Sequence, residues 1–119
     1  PLTIILKAND NVPDWVNSDL TTVGFRMPNH PVTLELIREF GPLIGPSANI
    51  SGQASGVAFK EILKDFDQEV LGVEDDAYLT GQDSTILDLS GSKARILRQG
   101  AVTKEDILAK IPVIPFEEV

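Results

Sequence analysis

Pro1-Leu2-Thr3-Ile4-Ile5-Leu6-Lys7 is the stretch whose reading decides the fold. Leu2 to Leu6 is a short, nearly continuous apolar run with β-branched residues, the pattern of a strand covered on both faces. Thr21-Thr22-Val23-Gly24-Phe25-Arg26-Met27 reads as a second strand, stopped by Pro28. Between them, residues 9–20 are rich in Asn, Asp and Ser, carry Pro13 and Trp15, and read as loop. Pro31 sits where the first turn of a helix tolerates proline, with Asn29 or His30 as its cap. Val32, Leu36, Ile37 and Phe40 recur at helical spacing, which predicts an amphipathic helix over residues 31–40, closed by Gly41-Pro42.

Further along, Leu43-Ile44-Gly45 reads as a short buried strand that runs into a small, polar loop from Pro46 to Gly56. A second helical pattern follows, with Val57, Ile62, Leu63 and Phe66 on one side, and Glu69 to Val73 reads as a strand. After an acidic loop, Ser84 to Leu89 and Ala94 to Leu97 form a hairpin about Ser90-Gly91-Ser92-Lys93. Thr103 caps a last helix, with Asp106 as a variant of the capping box and Ile107, Leu108 and Ile111 as its apolar face. Pro112 and Pro115 end that helix and lead into an acidic tail. The mixture of short strands and about three helices, with no repeat or linker, predicts one α/β unit.

Composition narrows the chemistry. In 119 residues, 18 acidic against 10 basic side chains give a net charge of −8, too few cations to displace counterions along a nucleic-acid backbone. There is no cysteine, which excludes disulfides, thiolate nucleophiles and Cys-based zinc sites, and one histidine cannot build a His-rich metal centre. No apolar run approaches the ~20 residues of a membrane-spanning helix, and the start has no signal-peptide pattern. The chain opens directly in what reads as core, so the expectation is a sequence entered partway through a domain.

The loop from Pro46 to Gly56 puts hydroxyls and backbone N–H groups ahead of a helix, a setting that favours a phosphate or carboxylate. Gly45 lets a ligand approach the backbone. Ser47, Asn49, Ser51 and Ser55 are equally well read as turn and cap residues. Arg26, between Phe25 and Met27, must reach solvent or meet an anion, and its planar fork suits a carboxylate; the plain alternative is a surface pair with an acidic neighbour. Arg98 at the end of a strand either holds a phosphate or snorkels to solvent. Ser84-Thr85 offers hydroxyls at a strand start. His30 reads as a cap, and Glu74-Asp75-Asp76 as a solvated loop rather than a Mg²⁺ site. No catalytic triad, Walker loop, GxGxxG or HExxH occurs. Taken alone, the residues support a small-anion site and stop there.

Five segments in order resemble the YrdC/TsaC family of threonylcarbamoyl-AMP synthases. They are Pro1–Lys7, Thr22–Pro31, Gly45-Pro46-Ser47-Ala48-Asn49-Ile50-Ser51-Gly52, Asp83-Ser84-Thr85-Ile86-Leu87-Asp88-Leu89 and Ile96-Leu97-Arg98-Gln99-Gly100. The resemblance implies a portion of a YrdC-like twisted mixed sheet with about three helices packed on it. It also implies a reaction that joins ATP, bicarbonate and L-threonine into threonylcarbamoyl-AMP and pyrophosphate, for t6A modification of tRNA in the cytoplasm. ATP with Mg²⁺ is then a substrate, and no redox cofactor is required. By the same resemblance Thr22, Ser47, Asn49, Ser55 and Arg98 surround ATP, while Arg26, Gly45 and Ser84 surround threonine. No residue is implied as a covalent nucleophile and none as a protein metal ligand.

Residues 1–119 correspond in this reading to the C-terminal ~60% of a single YrdC-like domain. The segment with which the family begins, a Pro-Thr-Glu-Thr-x-Tyr-Gly-Leu-like strand followed by a Lys-x-Arg motif, is absent. Gly45 stands where the family usually has Ala, Gln99 where it has Pro, and Asp83 where it has Glu. The expectation that follows is a chain not active alone, which self-associates through exposed strand edges. The alternative is a non-synthase YrdC/YciO-like module that binds a nucleotide or RNA, double-stranded RNA included. A carbamoyl-transfer module of the hydrogenase-maturation type ranks behind both.

Overall fold

The computed structural model describes residues 1–46, 56–64, 66, 71–77 and 82–117. Its elements run β1 (Leu2–Lys7), β2 (Thr22–Arg26), α1 (Pro31–Phe40), α2 (Phe59–Leu63), β3 (Thr85–Asp88), β4 (Arg95–Arg98) and α3 (Lys104–Lys110). The four strands form one mixed sheet in the order β2-β1-β3-β4, with β1 antiparallel to β2 and parallel to β3, and β3 antiparallel to β4. The expected α/β class and mixed sheet are both present. The chain divides into two units: residues 1–34 with 82–117 hold the whole sheet, and the described residues between 35 and 77 form the other.

β1 is central, as its apolar run requires, although Leu2 to Ile5 are half-buried rather than enclosed and Leu6 is exposed. Cross-strand register sorts the side chains onto two faces, since residues directly opposite share a face and neighbours alternate. Leu2 lies opposite Thr85, and Ile4 opposite both Leu87 and Phe25; these point to one side. On that side Leu87, Ala94 and Ile107 are buried, with Leu2, Leu89, Ile96, Val102, Ile114 and Phe116 packed around them, so α3 closes the core there. Thr3, Ile86, Asp88 and Arg26 point to the other side.

β4 departs from simple alternation. Leu87 pairs with Ile96 and Ile86 with Arg98, which leaves Leu97 as an extra, half-exposed residue in a bulge. Because of it, Arg95 and Arg98, three apart, face the same side. Arg95 there sits opposite Asp88 and bridges it at 3.3 Å.

Helix boundaries follow their sequence signals. Pro31 opens α1, the Thr33 amide donates to His30 Nδ1 at 3.4 Å, and Gly41 ends the helix in the left-handed region at φ +79°. Its more buried positions include Leu34 and Ile37, whereas Val32, Leu36 and Phe40 of the expected apolar stripe are exposed. The predicted helix after Gly56 is short, with the Phe59 amide donating to Asp76 Oδ1.

Two predicted strands are corrected. Leu43-Ile44-Gly45 is neither strand nor buried, with Leu43 and Ile44 51% and 60% exposed. Pro42 and Pro46 bracket these three residues and supply no N–H for a ladder. The described part of the strand expected at 69–73 is also irregular, and Leu71 is 99% exposed; Glu69 and Val70 lie outside the described residues.

The chain after Pro112 proves to be more than an acidic tail. Phe116 forms a parallel bridge with Ala94, through Ala94 N to Pro115 O at 2.7 Å and Glu117 N to Ala94 O at 2.9 Å. Phe116 also lies under the Lys104 ammonium, 5.1 Å from the ring centroid.

The capping box on α3 is reciprocal: Asp106 N donates to Thr103 Oγ1 at 3.1 Å and Thr103 N to Asp106 Oδ2 at 2.9 Å. The Thr103 amide, followed by its side chain, holds the Asp106 carboxyl below the ordinary carboxylate range. The Ser90 hydroxyl and then the Ser90 amide, with Arg95 a smaller cause, do the same for Asp88 in the hairpin turn. A carboxyl depressed in the folded state contributes stability above its unfolded pKa and loses it as the pH falls through the folded value. Acid should therefore weaken both turns as the pH drops through and below the ordinary carboxylate range. Thr103→Ala should cost about 1 kcal/mol near neutrality. It should also flatten part of the acid limb in a plot of Tm against pH.

Candidate anion-binding face

Three of the residues singled out in the sequence meet at one end of the sheet. Arg26 is the last residue of β2, opposite Thr3, and its Nη1 donates to Ser84 Oγ at 3.2 Å. Arg98 is the last residue of β4, opposite Ile86, and its Nε donates to the Ser84 carbonyl at 3.0 Å. Ser84 is only 7% exposed, while both arginines are exposed. One residue, Ser84, thus receives a guanidinium from each side, and both come from the face opposite the α3 core.

Neither arginine has a carboxylate partner among the described residues, where the ion pairs are Arg38–Glu35 and Arg95–Asp88. Among the described residues Arg26 therefore meets a hydroxyl rather than an acidic neighbour, and Arg98 meets a backbone carbonyl from an exposed strand end. Two exposed guanidinium groups beside one hydroxyl are a donor set whose chemistry suits a small planar anion.

Thr22 shares the face with Arg26 but stands at the other end of β2, opposite Lys7 and about 13 Å away along the strand. Gly24, between them, leaves bare backbone; a Cβ there would meet Thr3 Cγ2 at an ordinary 3.5 Å, so packing does not demand the glycine. A ligand touching both Thr22 and Arg26 would have to span about 13 Å. Gly45 belongs to the other unit and has open space around it. Ser47, Asn49, Ser51 and Ser55 lie outside the described residues, as does most of the predicted loop. No cluster able to ligate a metal occurs among the described residues, and none of their helices is long and apolar enough to cross a membrane.

Sequence reasoning missed what holds Ser84 in place. Thr85, next to it, is fully buried, and its hydroxyl ties the start of β3 to the turn after β4. Gly100 in that turn is pressed against the backbone of residues 83–85. Gln99, in the position where a proline was expected, donates through Nε2 to the Gly100 and Val102 carbonyls. A glycine just past a strand end is a weak signal; the close approach becomes visible only with β3 alongside.

Comparison with known proteins agrees with this architecture. Over 98% of its length the chain is 40% identical to the threonylcarbamoyl-AMP synthase of Bacillus subtilis, covering 35% of that protein. Over 90% it is 35% identical to the threonylcarbamoyl-AMP synthase of Pyrococcus abyssi, covering 32%. The structure of P. abyssi Sua5 complexed with L-threonine superposes with a TM-score of 0.79 at 33% identity, covering 98% of this chain and 35% of that one. A doubly substituted variant of the same protein gives a TM-score of 0.83. The chain thus spans about a third of the length of these relatives. The Sua5/YciO/YrdC family model, described as telomere recombination, matches residues 1–100, and this chain belongs to that family.

Proposed function

We propose that this chain serves the synthesis of threonylcarbamoyl-AMP, and that the Arg26–Ser84–Arg98 face takes the amino-acid carboxylate at Arg26 and Ser84, with Arg98 beside the phosphates of ATP. The observation that carries the reading is the convergence of two arginines on Ser84 with no carboxylate neutralising them among the described residues. Relatives named for this activity, and a similar protein complexed with L-threonine, support the choice of ligand.

In this reading Arg26 and the Ser84 hydroxyl fix the threonine carboxylate, so that its amino group attacks the bicarbonate carbon in one orientation and water leaves, giving the carbamate. ATP, with Mg²⁺ on its phosphates, then receives the carbamate oxygen at the α-phosphorus and pyrophosphate leaves. Arg98 offsets charge that develops beside the phosphates, and Thr22 supports the nucleoside end across the bare backbone of Gly24. Catalysis is then positioning and electrostatic stabilisation, with no covalent intermediate on the protein. The product would supply t6A modification of tRNA in the cytoplasm; the net charge of −8 argues that tRNA is not itself gripped by this chain.

The test is a titration of L-threonine into ¹⁵N-labelled chain, with a parallel assay of bicarbonate-dependent pyrophosphate release from ATP. Saturable shifts at Ser84, Thr85 and the two arginine Nε–H signals are expected. No shift at millimolar threonine overturns the assignment of the face. Binding without pyrophosphate release keeps the face and removes the synthase activity of the chain by itself.

A further inference from the structure

We infer that Thr85 is a positioning residue, whose buried hydroxyl holds Arg98 and Ser84 in the geometry that the anion-binding face requires. The inference rests on the reading of that face given above, but its structural half is testable without any ligand.

Thr85 Oγ1 donates to the Val102 carbonyl at 2.5 Å and accepts from the Gly100 and Val102 amides at 3.0 and 3.1 Å. All the hydrogen-bonding capacity of one fully buried hydroxyl is thus spent on a single turn. That turn begins immediately after Arg98. On the other side, Thr85 N donates to the Pro1 carbonyl at 2.7 Å, which anchors this end of β3 beside β1. The hydroxyl therefore links the sheet to the segment that carries Arg98, two residues before Gly100.

Thr85 opens β3 and Ser84 directly precedes it, and their hydroxyls go to different partners, Val102 and Arg26. The hydroxyl of Thr85 works on the core side, while Ser84 meets Arg26 through its side chain and Arg98 through its carbonyl. If the turn drifts from Thr85, the Arg98 Nε–H no longer registers with the Ser84 carbonyl, and the spacing of the two guanidinium groups is lost. Thr85 itself never touches the ligand. Its methyl group is dispensable for this role and its hydroxyl is not, so serine should substitute where valine cannot.

The experiment compares the wild-type chain with Thr85→Ser and Thr85→Val, reading the Arg98 Nε–H resonance and the affinity for L-threonine. In the wild type and in Thr85→Ser, the Arg98 signal should be resolved from other arginines and slow to exchange, with affinities within about threefold of each other. In Thr85→Val, the signal should collapse toward the solvent-exposed position and affinity should fall at least tenfold, while the Leu87 and Ile107 methyl shifts persist. A folded Thr85→Val with the Arg98 signal and affinity unchanged overturns the inference. Should that variant fail to fold, amide exchange in the wild type decides. Gly100 and Val102 must exchange in the slow class of Leu87, and loop-like rates overturn the inference. A wild-type chain that does not bind threonine removes the functional reading, yet the Arg98 signal still tests the role of Thr85.

Discussion

Gly100→Ala should be the most damaging single substitution in the chain. An alanine Cβ there would lie 2.5 Å from Thr85 N and 2.6 Å from Ser84 C, and closer still to the Asp83 carbonyl oxygen. All three are backbone atoms of the segment that starts β3, so no side-chain rotation relieves the overlap. The turn must move away, and as it moves Thr85 loses its three bonds to Gly100 and Val102. Steric repulsion combined with unsatisfied buried polar groups belongs to the class that costs about 3–5 kcal/mol. For a domain of this size that is a fall in Tm on the order of 10–20 °C. Calorimetry or thermal circular dichroism reads it directly. Gly45→Ala is the control, because a Cβ at Gly45 meets nothing within 4 Å and its Tm should stay put. Equal behaviour of the two variants would show that the residue 100 turn is not held against β3.

Arg26→Ala should have the largest effect on binding with little effect on folding. The side chain is exposed and its hydrogen bond goes to a hydroxyl rather than into the core, so Tm should shift little. A hydrogen bond to a charged group contributes about 1.5–3 kcal/mol, so its removal should weaken L-threonine binding on the order of 10–100-fold. Arg26→Lys keeps the charge but not the planar fork and should fall between the two. Isothermal titration of the three proteins separates the outcomes. Unchanged affinity in Arg26→Ala would move the carboxylate to Arg98 or away from this face. A matched loss in both variants would show that geometry, rather than charge, is what the site uses.

Local patterns made much of this fold readable. The apolar run Leu2–Leu6, the proline at the start of α1 and the Thr103–Asp106 pair each carry their meaning within a few residues, and the corresponding elements are present. Leu43–Gly45 misled because three apolar or small residues resemble a buried strand until the flanking prolines are weighed. Phe116 was read as part of a tail because its partner, Ala94, lies 22 residues earlier and nothing near Phe116 signals the bridge. The same holds at the site. Arg26 and Arg98 were visible individually as arginines in strands, each with a plain alternative. Their shared partner emerges only when β1 and β3 bring residues 26, 84 and 98 together. Thr85 was the least legible of all, because a buried threonine and a strand-opening threonine look identical in a sequence.

The extra residue in β4 bears on how this strand tolerates changes in length. Leu97 pairs with nothing in β3, so losing it would straighten the strand and still leave Arg98 across from Ile86, on the same side as Arg26. Adding a residue instead, or flattening the bulge with all four residues kept, would send the guanidinium toward Leu87 and Ile107. In this strand a one-residue deletion is the mild event and a one-residue insertion the severe one, an asymmetry that an alignment scored on identity alone would not reveal.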